Sequence, residues 1–423
     1  MRVLGLCGLL ALLLLGGFPG RCQPRPAPPA FDIQAATEAY LASVPQDKRA
    51  RSDAYFEGGY WLTLWDYVWI AGISLVLLQT RLSARMRALA ERLTRFQPLR
   101  TMAYGAQFIF LATLLSFPWT VYESYVREHQ YGLATQTFGP WLGDQMKSLG
   151  LTLVFGSLAL AVLFGVVRRL PRTWHIWGAA LTLVFLMIEG LFGPVFIAPL
   201  FNRYTVLSDA AIRDPVLRLA RANGIPANEV YEVDASRQST RISANVSGLL
   251  GTERITLNDN LLKRCTPQEI LAVLGHEIGH YVLNHIYKGL LVYLVVVTVF
   301  FTGLRRTLDW FLARWGPRWE IRGVSDLAAL PLAVLVISTF SFLYTPIDNT
   351  VTRTMEYEAD MYGLNAVRQP DAFATVTLKL GEYRKLSPGP VEEWIFFDHP
   401  SGRTRIYSAM RWKAENLPAG AER

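Results

Sequence analysis

The sequence LGHEIGH occupies residues 274–280 of this 423-residue chain and has the pattern His-Glu-x-x-His. On a helix, His276 and His280 lie one turn apart on one face, so both imidazoles can reach one ion. The preceding TPQE, residues 266–269, is typical of a helix start, with a threonine cap and a proline in the first turn. Because neutral imidazole is a good zinc ligand, the stretch predicts a zinc site on a helix.

Glu277 lies between the two histidines in sequence and has a different predicted role. In sites of this pattern the glutamate faces the open coordination position and does not bind the metal. There it can accept a proton from water and return it to a leaving amine, which is the role of a general base in peptide hydrolysis. The alternative is a chance match, with both histidines as polar residues of a core helix bonded to backbone carbonyls.

A third ligand candidate is Glu356, within MEYEAD at residues 355–360. A catalytic zinc site has three protein ligands and one open position, and His-His-Glu is a known set. Asp360 is four residues further along and shares a helix face with Glu356, so it is placed to accept the distal N–H of a ligand histidine. The alternative is a solvated acidic helix start. On a continuous helix His285 would lie about 140° beyond His280, so it is not expected to join the metal.

The composition of the chain and its long apolar stretches also predict a multi-pass membrane protein. Hydrophobic residues make up 51% of it and charged residues 18%, which fits a membrane half joined to a polar catalytic half. Six stretches have the length and apolar character to cross a bilayer. They lie near residues 60–79, 103–122, 148–167, 174–200, 287–304 and 327–347.

The net charge of +8 is interpreted as a topology signal. Arginines concentrate in the loops after the first, third and fifth stretches, and these loops share one side if every stretch spans. The positive-inside rule makes that side cytoplasmic and the catalytic stretches extracytoplasmic. No basic stripe with interleaved stacking aromatics is present, so we expect a lipid bilayer and no nucleic acid as partner.

The predicted organisation has six parts. Residues 1–22 are a signal peptide or anchor and 23–59 an N-terminal extension, 60–200 are transmembrane helices, 201–286 an α+β catalytic part with the His-Glu-x-x-His helix, 287–347 two further transmembrane helices, and 348–423 a C-terminal catalytic part with the third metal ligand. Within the α+β part, the pattern predicts a helix from Asp214 to Asn223 capped by Asp214, strands at 229–233 and 254–257, and a turn or helix from Asn258. The three cysteines, Cys7, Cys22 and Cys265, cannot form a disulfide framework.

Several stretches together resemble the type I CAAX prenyl endopeptidases, integral-membrane zinc proteases that remove C-terminal tripeptides from prenylated proteins. They are FPWTVY at 117–122, IAPLFN at 197–202, AVLGHEIGH at 272–280, EYEAD at 356–360, and His399-Pro400 with Arg405. The resemblance implies a mainly α fold, a transmembrane helical bundle or barrel around a chamber with a small α+β zinc protease domain. It implies one zinc per chain, held by His276, His280 and Glu356.

The same resemblance assigns roles to further residues. Glu277 is implied as base and Asp360 as a carboxylate that supports a ligand histidine. His399 is implied as a donor to the tetrahedral oxyanion and Arg405 as a residue near the substrate. The family's substrate-binding asparagine corresponds in register to Ser243, with Asn245 nearby, so either residue is a candidate replacement.

The substrate stays open among three hypotheses. The first is a prenylated protein or peptide cleaved at its C-terminus. The second is an unprenylated membrane protein, cleaved as by the quality-control protease HtpX. The third, from another class, is a non-hydrolytic transporter with a structural zinc domain. The leader and arginine-rich loops are typical of a protein of a bacterial inner membrane, and the oligomeric state is left open.

Overall fold

The computed structural model describes residues 31–247 and 253–417, and the predicted leader lies outside this part of the chain. Helices dominate the first half. They are α1 (Ile33–Ala42), α2 (Gln46–Gln79), α3 (Leu82–Leu93), α4 (Gln97–Gln130), α5 (Phe138–Arg169) and α6 (Trp174–Leu200).

The second half combines a small sheet with further helices. In chain order the elements are β1 (Tyr204–Val206), α7 (Ala210–Ala222), β2 (Val230–Val233), β3 (Ala244–Ser247), β4 (Arg254–Asn258), α8 (Asp259–Arg264), α9 (Pro267–Val282), α10 (His285–Trp315), α11 (Leu330–Val367), α12 (Pro370–Leu380), α13 (Pro390–Phe396) and α14 (Gly402–Asn416). A 3₁₀ turn at Leu327–Ala329 leads into α11. The predicted fold class is confirmed.

All six predicted membrane stretches are present as helices long and apolar enough to span a bilayer: α2, α4, α5, α6, α10 and α11. They are 27 to 41 residues long when the 3₁₀ turn Leu327–Ala329 is counted with α11, whereas about 20 residues cross the hydrocarbon core, so they extend beyond it. Pro194, which cannot donate a backbone hydrogen bond, lies in the wide π-helical turn Gly193–Ile197 of α6.

The three arginine-rich loops meet at one end of the helical bundle. Arg81 Nε donates to the Arg318 carbonyl at 3.1 Å, and Arg322 pairs with Glu91 at 2.7 Å. Arg305 donates to the Arg172 carbonyl. The loops after α2, α5 and α10 are therefore joined in space, as their shared predicted side requires.

The sheet lies at the opposite end, with strand order β1-β2-β4-β3. β2 and β4 run parallel, and the other two pairings are antiparallel. The predicted strands correspond to β2 and β4. Helix α8 begins where the sequence predicts a turn or helix, and the Asn258 side chain caps it. β3 is an edge strand, with its outer edge unpaired within the described ranges.

The predicted start of α7 is wrong. The helix begins at Ala210, because the Asp209 side chain accepts a hydrogen bond from the Ala211 N–H at 2.9 Å and caps an earlier turn. Asp214 and Pro215 lie inside the helix, which therefore lacks one backbone hydrogen bond at the proline. Gly224 follows the helix with a φ of +76°, as expected of a glycine just past a helix end.

Helices α9 and α11 approach backbone to backbone, and small residues allow it. A Cβ on Gly363 would lie 2.8 Å from the His276 backbone nitrogen, and one on Gly279 would lie 3.0 Å from Ala359 Cα. Gly275 also faces Gly363. This contact sets the distance between the two elements that carry the candidate metal ligands.

We expect Gly363→Ala to lower the thermal unfolding midpoint of the purified protein in detergent. The added methyl group meets backbone atoms on α9, which cannot move as a flexible side chain can, and overpacking of this kind costs about 1–3 kcal/mol. Gly289→Ala on α10 is the matched control, because a Cβ there meets nothing within 4 Å. Equal midpoints for the two variants would contradict the close approach.

Candidate metal centre

Three side chains from two helices converge at the contact between α9 and α11. His276 and His280 come from α9 and Glu356 from α11, and their potential ligand atoms all lie within 4.8 Å of one another. The two Nε2 atoms are 3.1 Å apart. Glu356 Oε2 lies 3.1 Å from His276 Nε2, and Glu356 Oε1 lies 3.4 Å from His280 Nε2.

This arrangement fits a tetrahedral metal. With metal–ligand bonds of 2.0–2.1 Å, tetrahedral ligand atoms are separated by about 3.3 Å, close to the three observed separations. Glu356 Oε2 is buried and accepts no hydrogen bond within the described part of the chain. Converging imidazole nitrogens and a buried carboxylate oxygen in need of a partner form a donor set suited to a divalent cation.

Asp360 holds His276 from behind. Its Oδ1 atom lies 2.7 Å from His276 Nδ1, so the imidazole carries its proton there and directs the Nε2 lone pair toward the ligand cluster. Arg405 donates twice to Asp360, at 2.8 and 2.5 Å, and both side chains are buried. The structure therefore places Arg405 behind the metal ligands, with two of its donors engaged by Asp360.

His285 contacts His280, contrary to the predicted geometry. The helix containing the motif ends at Val282, and Asn284 adopts a left-handed conformation with φ of +58°, so His285 begins a new helix. Its Nδ1 lies 2.9 Å from His280 Nδ1. The assumption of one continuous helix was the error, although His285 is not part of the three-residue cluster.

Glu358 holds His285, which in turn contacts the ligand His280. His285 Nε2 lies 3.0 Å from Glu358 Oε2, and Lys288 pairs with the same oxygen at 2.7 Å. If His285 donates from Nε2, its Nδ1 accepts from His280 Nδ1–H, which leaves the His280 Nε2 lone pair for the metal. Sequence reasoning missed this series of hydrogen bonds because it depends on the left-handed turn at Asn284.

Glu277 faces a cleft of about 220 Å³ that His276, Ser243, His399 and Arg405 also line. Its carboxylate makes no hydrogen bond to any other described residue, so it is free to accept a proton. Burial raises the pKa of Glu277, and the neighbouring histidines partly oppose this shift. A raised pKa makes the carboxylate a stronger base, as proton abstraction from water requires.

His399 lies beside the cluster of His276, His280 and Glu356. Its Nε2 is 3.2 Å from Glu356 Oε2, and its Nδ1 is 2.8 Å from Asp398 Oδ1. Burial alone would raise the pKa of Asp398, but the hydrogen bond with His399 lowers it below its ordinary value. The ionised Asp398 thus fixes the orientation of the His399 ring.

The structure separates the two candidates for the family asparagine. Ser243 is exposed and lines the cleft with Glu277, whereas Asn245 lies further along the edge strand β3 and does not line it. The Ser243 carbonyl accepts a hydrogen bond from the Asn258 N–H at 3.0 Å. The Ser243 backbone is therefore fixed beside the ligand cluster.

A second cavity of about 520 Å³ lies next to the cleft, between α2, α4 and α11. Its lining combines aromatic residues, among them Phe56, Tyr60 and Phe396, with charged residues such as Asp66 and Glu123. Tyr383 and Arg384 line both this chamber and the cleft. The two cavities are therefore neighbours that share one boundary.

Comparisons with known proteins agree with this architecture. Residues 207–413 match the model of peptidase family M48, and residues 33–203 match that of the CAAX prenyl protease N-terminal region with five membrane helices. The uncharacterized metalloprotease YhfN of Bacillus subtilis is 31% identical over 347 residues, covering 81% of this chain and 80% of the relative.

Two further similar proteins extend the comparison. CAAX prenyl protease 1 of Saccharomyces cerevisiae is 27% identical over 341 residues, covering 74% of this chain and 73% of the relative. The crystal structure of Ste24p from S. mikatae superimposes with a TM-score of 0.75 at 21% identity, covering 89% of this chain and 95% of that one. That likeness shows the fold, and the sequence matches confirm the predicted resemblance.

We expect Asp360→Asn to weaken metal binding about 10- to 100-fold, the usual loss when a support behind a histidine ligand is changed. The amide keeps the shape but leaves Arg405 buried without a counter-charge. The measurement is a competition titration with a chelating dye on purified protein. Glu415→Gln, which breaks an exposed pair with Arg411, is the control and should bind metal as the unaltered chain does. Equal affinities in both variants would refute the assigned support.

Proposed function

Because the chain belongs to peptidase family M48 and is a membrane metalloendopeptidase, we propose that its metal is zinc and that it removes C-terminal residues from prenylated CAAX-type substrates. His276, His280 and Glu356 would hold the zinc. The separations of their ligand atoms, close to those of a tetrahedral zinc site, support this choice.

Zinc in such a site supplies Lewis-acid activation of water at neutral pH. The protein residues then move and orient the reacting groups. Glu277, with no other hydrogen bond among the described residues, accepts the proton of the attacking water and delivers it to the leaving amine nitrogen. His399, fixed by Asp398, donates to the oxyanion of the peptide carbonyl, a contribution of about 3–4 kcal/mol where such donors have been measured.

The substrate peptide would bind along the free edge of β3. An extended peptide can add to an exposed edge strand through backbone hydrogen bonds, which places its scissile bond beside the neighbouring catalytic residues. Ser243, at the start of this edge and inside the cleft, is the proposed substrate contact. Asn245 would contact the peptide further along the strand, and Arg405 would act mainly through Asp360.

The observation that carries the prenyl assignment is the chamber beside the cleft. The aromatic part of its lining, with Phe56, Tyr60 and Phe396, would contact an isoprenoid chain, and the charged residues that also line it, among them Asp66 and Glu123, would lie away from that chain, while the peptide lies in the adjoining cleft. The relatives named CAAX prenyl protease 1 support the same substrate class. Cleavage of unprenylated membrane proteins, as by HtpX, is the competing outcome of the test below. Membership of a peptidase family rules out the transporter hypothesis as the protein's class.

The catalytic end is proposed to lie outside the cytoplasm, in a bacterial inner membrane. The three arginine loops meet at the opposite end, and the positive-inside rule assigns that end to the cytoplasm. The catalytic elements all lie at the other ends of the spans.

We expect Glu277→Gln to lower kcat/KM for a farnesylated CAAX peptide at least about 100-fold, the low end of general-base contributions, while zinc content is unchanged. Cleavage is followed with purified protein in detergent, and zinc is measured on the same sample. The unprenylated twin peptide is the matched substrate control and should be cleaved more slowly. Cleavage of an unprenylated membrane protein without cleavage of the farnesylated peptide would replace the CAAX assignment by the quality-control one.

The topology is tested with single cysteines in a background where Cys7, Cys22 and Cys265 are serine. Leu89 on α3 and Tyr407 on α14 are exposed at opposite ends of the molecule. In intact spheroplasts, a membrane-impermeant maleimide should label Tyr407→Cys and reach Leu89→Cys only after lysis. The reverse pattern would place the catalytic end in the cytoplasm.

A further inference from the structure

We propose that Arg384 binds the C-terminal carboxylate of the substrate peptide and so restricts cleavage to bonds near a free carboxyl end. The inference rests on the proposed function, since it assigns a specificity residue to the same cleft. Arg384 lies where the two cavities meet, because it lines both the catalytic cleft and the aromatic chamber.

The other arginines of these two cavities are already engaged. Arg405 is bound to Asp360, and Arg241 pairs with Glu128 at 2.7 Å. Arg127 donates to the Tyr55 carbonyl and lies over the Tyr55 ring at 4.0 Å. Each of these cations has a protein partner that satisfies part of its charge.

The guanidinium of Arg384 has neither a hydrogen bond nor an ion pair with the residues that the structure describes. Its ring contact is with Tyr383, at 5.9 Å. Asp398 is an acid whose pKa Arg384 helps to lower, but its carboxylate is hydrogen-bonded to His399. Arg384 is therefore the arginine of the two cavities whose donors are available to an anion.

The backbone of this arginine is nevertheless fixed. The buried Ser52 hydroxyl on α2 contacts the Arg384 carbonyl at 2.8 Å and the Gly381 carbonyl at 2.7 Å. The Arg384 N–H donates to the Gly381 carbonyl at 3.1 Å. A fixed backbone that presents a free guanidinium at a cavity boundary is an arrangement suited to binding a ligand.

The chemistry of the cleft points to a peptide carboxylate as that ligand. Guanidinium binds a carboxylate through two parallel hydrogen bonds, and the cleft beside Arg384 is lined by the apolar residues Ile242, Val273, Phe373, Val376 and Leu380. Three extended residues span about 10 Å, so a short aliphatic tail could lie in the cleft with its terminal carboxylate at the boundary.

Binding is measured first, because it does not depend on hydrolysis. An aliphatic tripeptide is titrated by calorimetry into the zinc-loaded protein, once with a free carboxylate and once with a C-terminal amide. The carboxylate form should bind about tenfold more tightly or better, as expected for hydrogen bonds between charged groups. Arg384→Gln should remove this preference by weakening only the carboxylate form, and Arg384→Lys should retain part of it.

Cleavage is measured second, with farnesylated peptides that differ only in a C-terminal carboxylate or amide. Arg384→Gln should lower kcat/KM for the carboxylate peptide more than for the amide peptide and so abolish the preference between them, whereas a general structural defect would lower both equally. Arg411→Gln removes the same charge from an exposed pair and should keep the preference. Equal binding of both tripeptides to the unaltered chain would overturn the role of Arg384. A preference in binding without cleavage of either peptide would sustain that role and count against the proposed function.

Discussion

The close contact between α9 and α11 is the constraint on which the candidate site depends. Gly275 and Gly279 on one helix face Gly363 and Ala359 on the other, so the backbones meet without intervening side chains. At that spacing a glutamate on α11 can reach two histidines one turn apart on α9. A larger residue at the contact would move Glu356 away from both imidazoles. The metal site is therefore a consequence of helix packing as much as of ligand identity.

Two separate sets of hydrogen-bonded side chains support the two histidine ligands. Asp360 fixes His276 and is itself held by Arg405, whereas Glu358 holds His285, which contacts His280. Both sets leave the Nε2 lone pair of their histidine, His276 or His280, facing the cluster, so the two histidines present the same donor atom. The Asp360–Arg405 pair is buried, and a buried ion pair adds little net stability, since the loss of hydration offsets the attraction. The two sets of hydrogen bonds orient the imidazole rings, because they determine which ring nitrogen is left for the metal.

The membrane helices continue into the catalytic part, so the same helices cross the bundle and carry residues of the site. α11 runs from the arginine-rich end through the bundle and carries Glu356, Glu358 and Asp360 near its far end, while α10 begins at His285 directly beside the site. The chamber between α2, α4 and α11 shares Tyr383 and Arg384 with the lining of the cleft. Under the proposed function, the apolar and the peptidic part of one substrate would occupy these two neighbouring cavities.

The sequence by itself determined the class of the protein. The spacing of His276, Glu277 and His280 follows from helix geometry, and the six membrane stretches follow from length and apolarity, so both could be predicted locally. The short strands β1 and β3 were missed, because three or four residues are too few to show an alternating pattern. The cap at Asp209 was missed because Asp214 before Pro215 is the stronger local signal.

Only the tertiary structure decided how distant parts of the chain combine. Contacts between separate elements produce the pairing of Asp360 with Arg405 and bring His285 onto His280. They also place Ser243 in the lining of the cleft. Arg384 belongs to no motif, and its proposed role follows from its place between two cavities and from a guanidinium that has no hydrogen bond or ion pair with the described residues. Local periodicity specifies which face of a helix a residue occupies, but packing between helices decides which residues share a site.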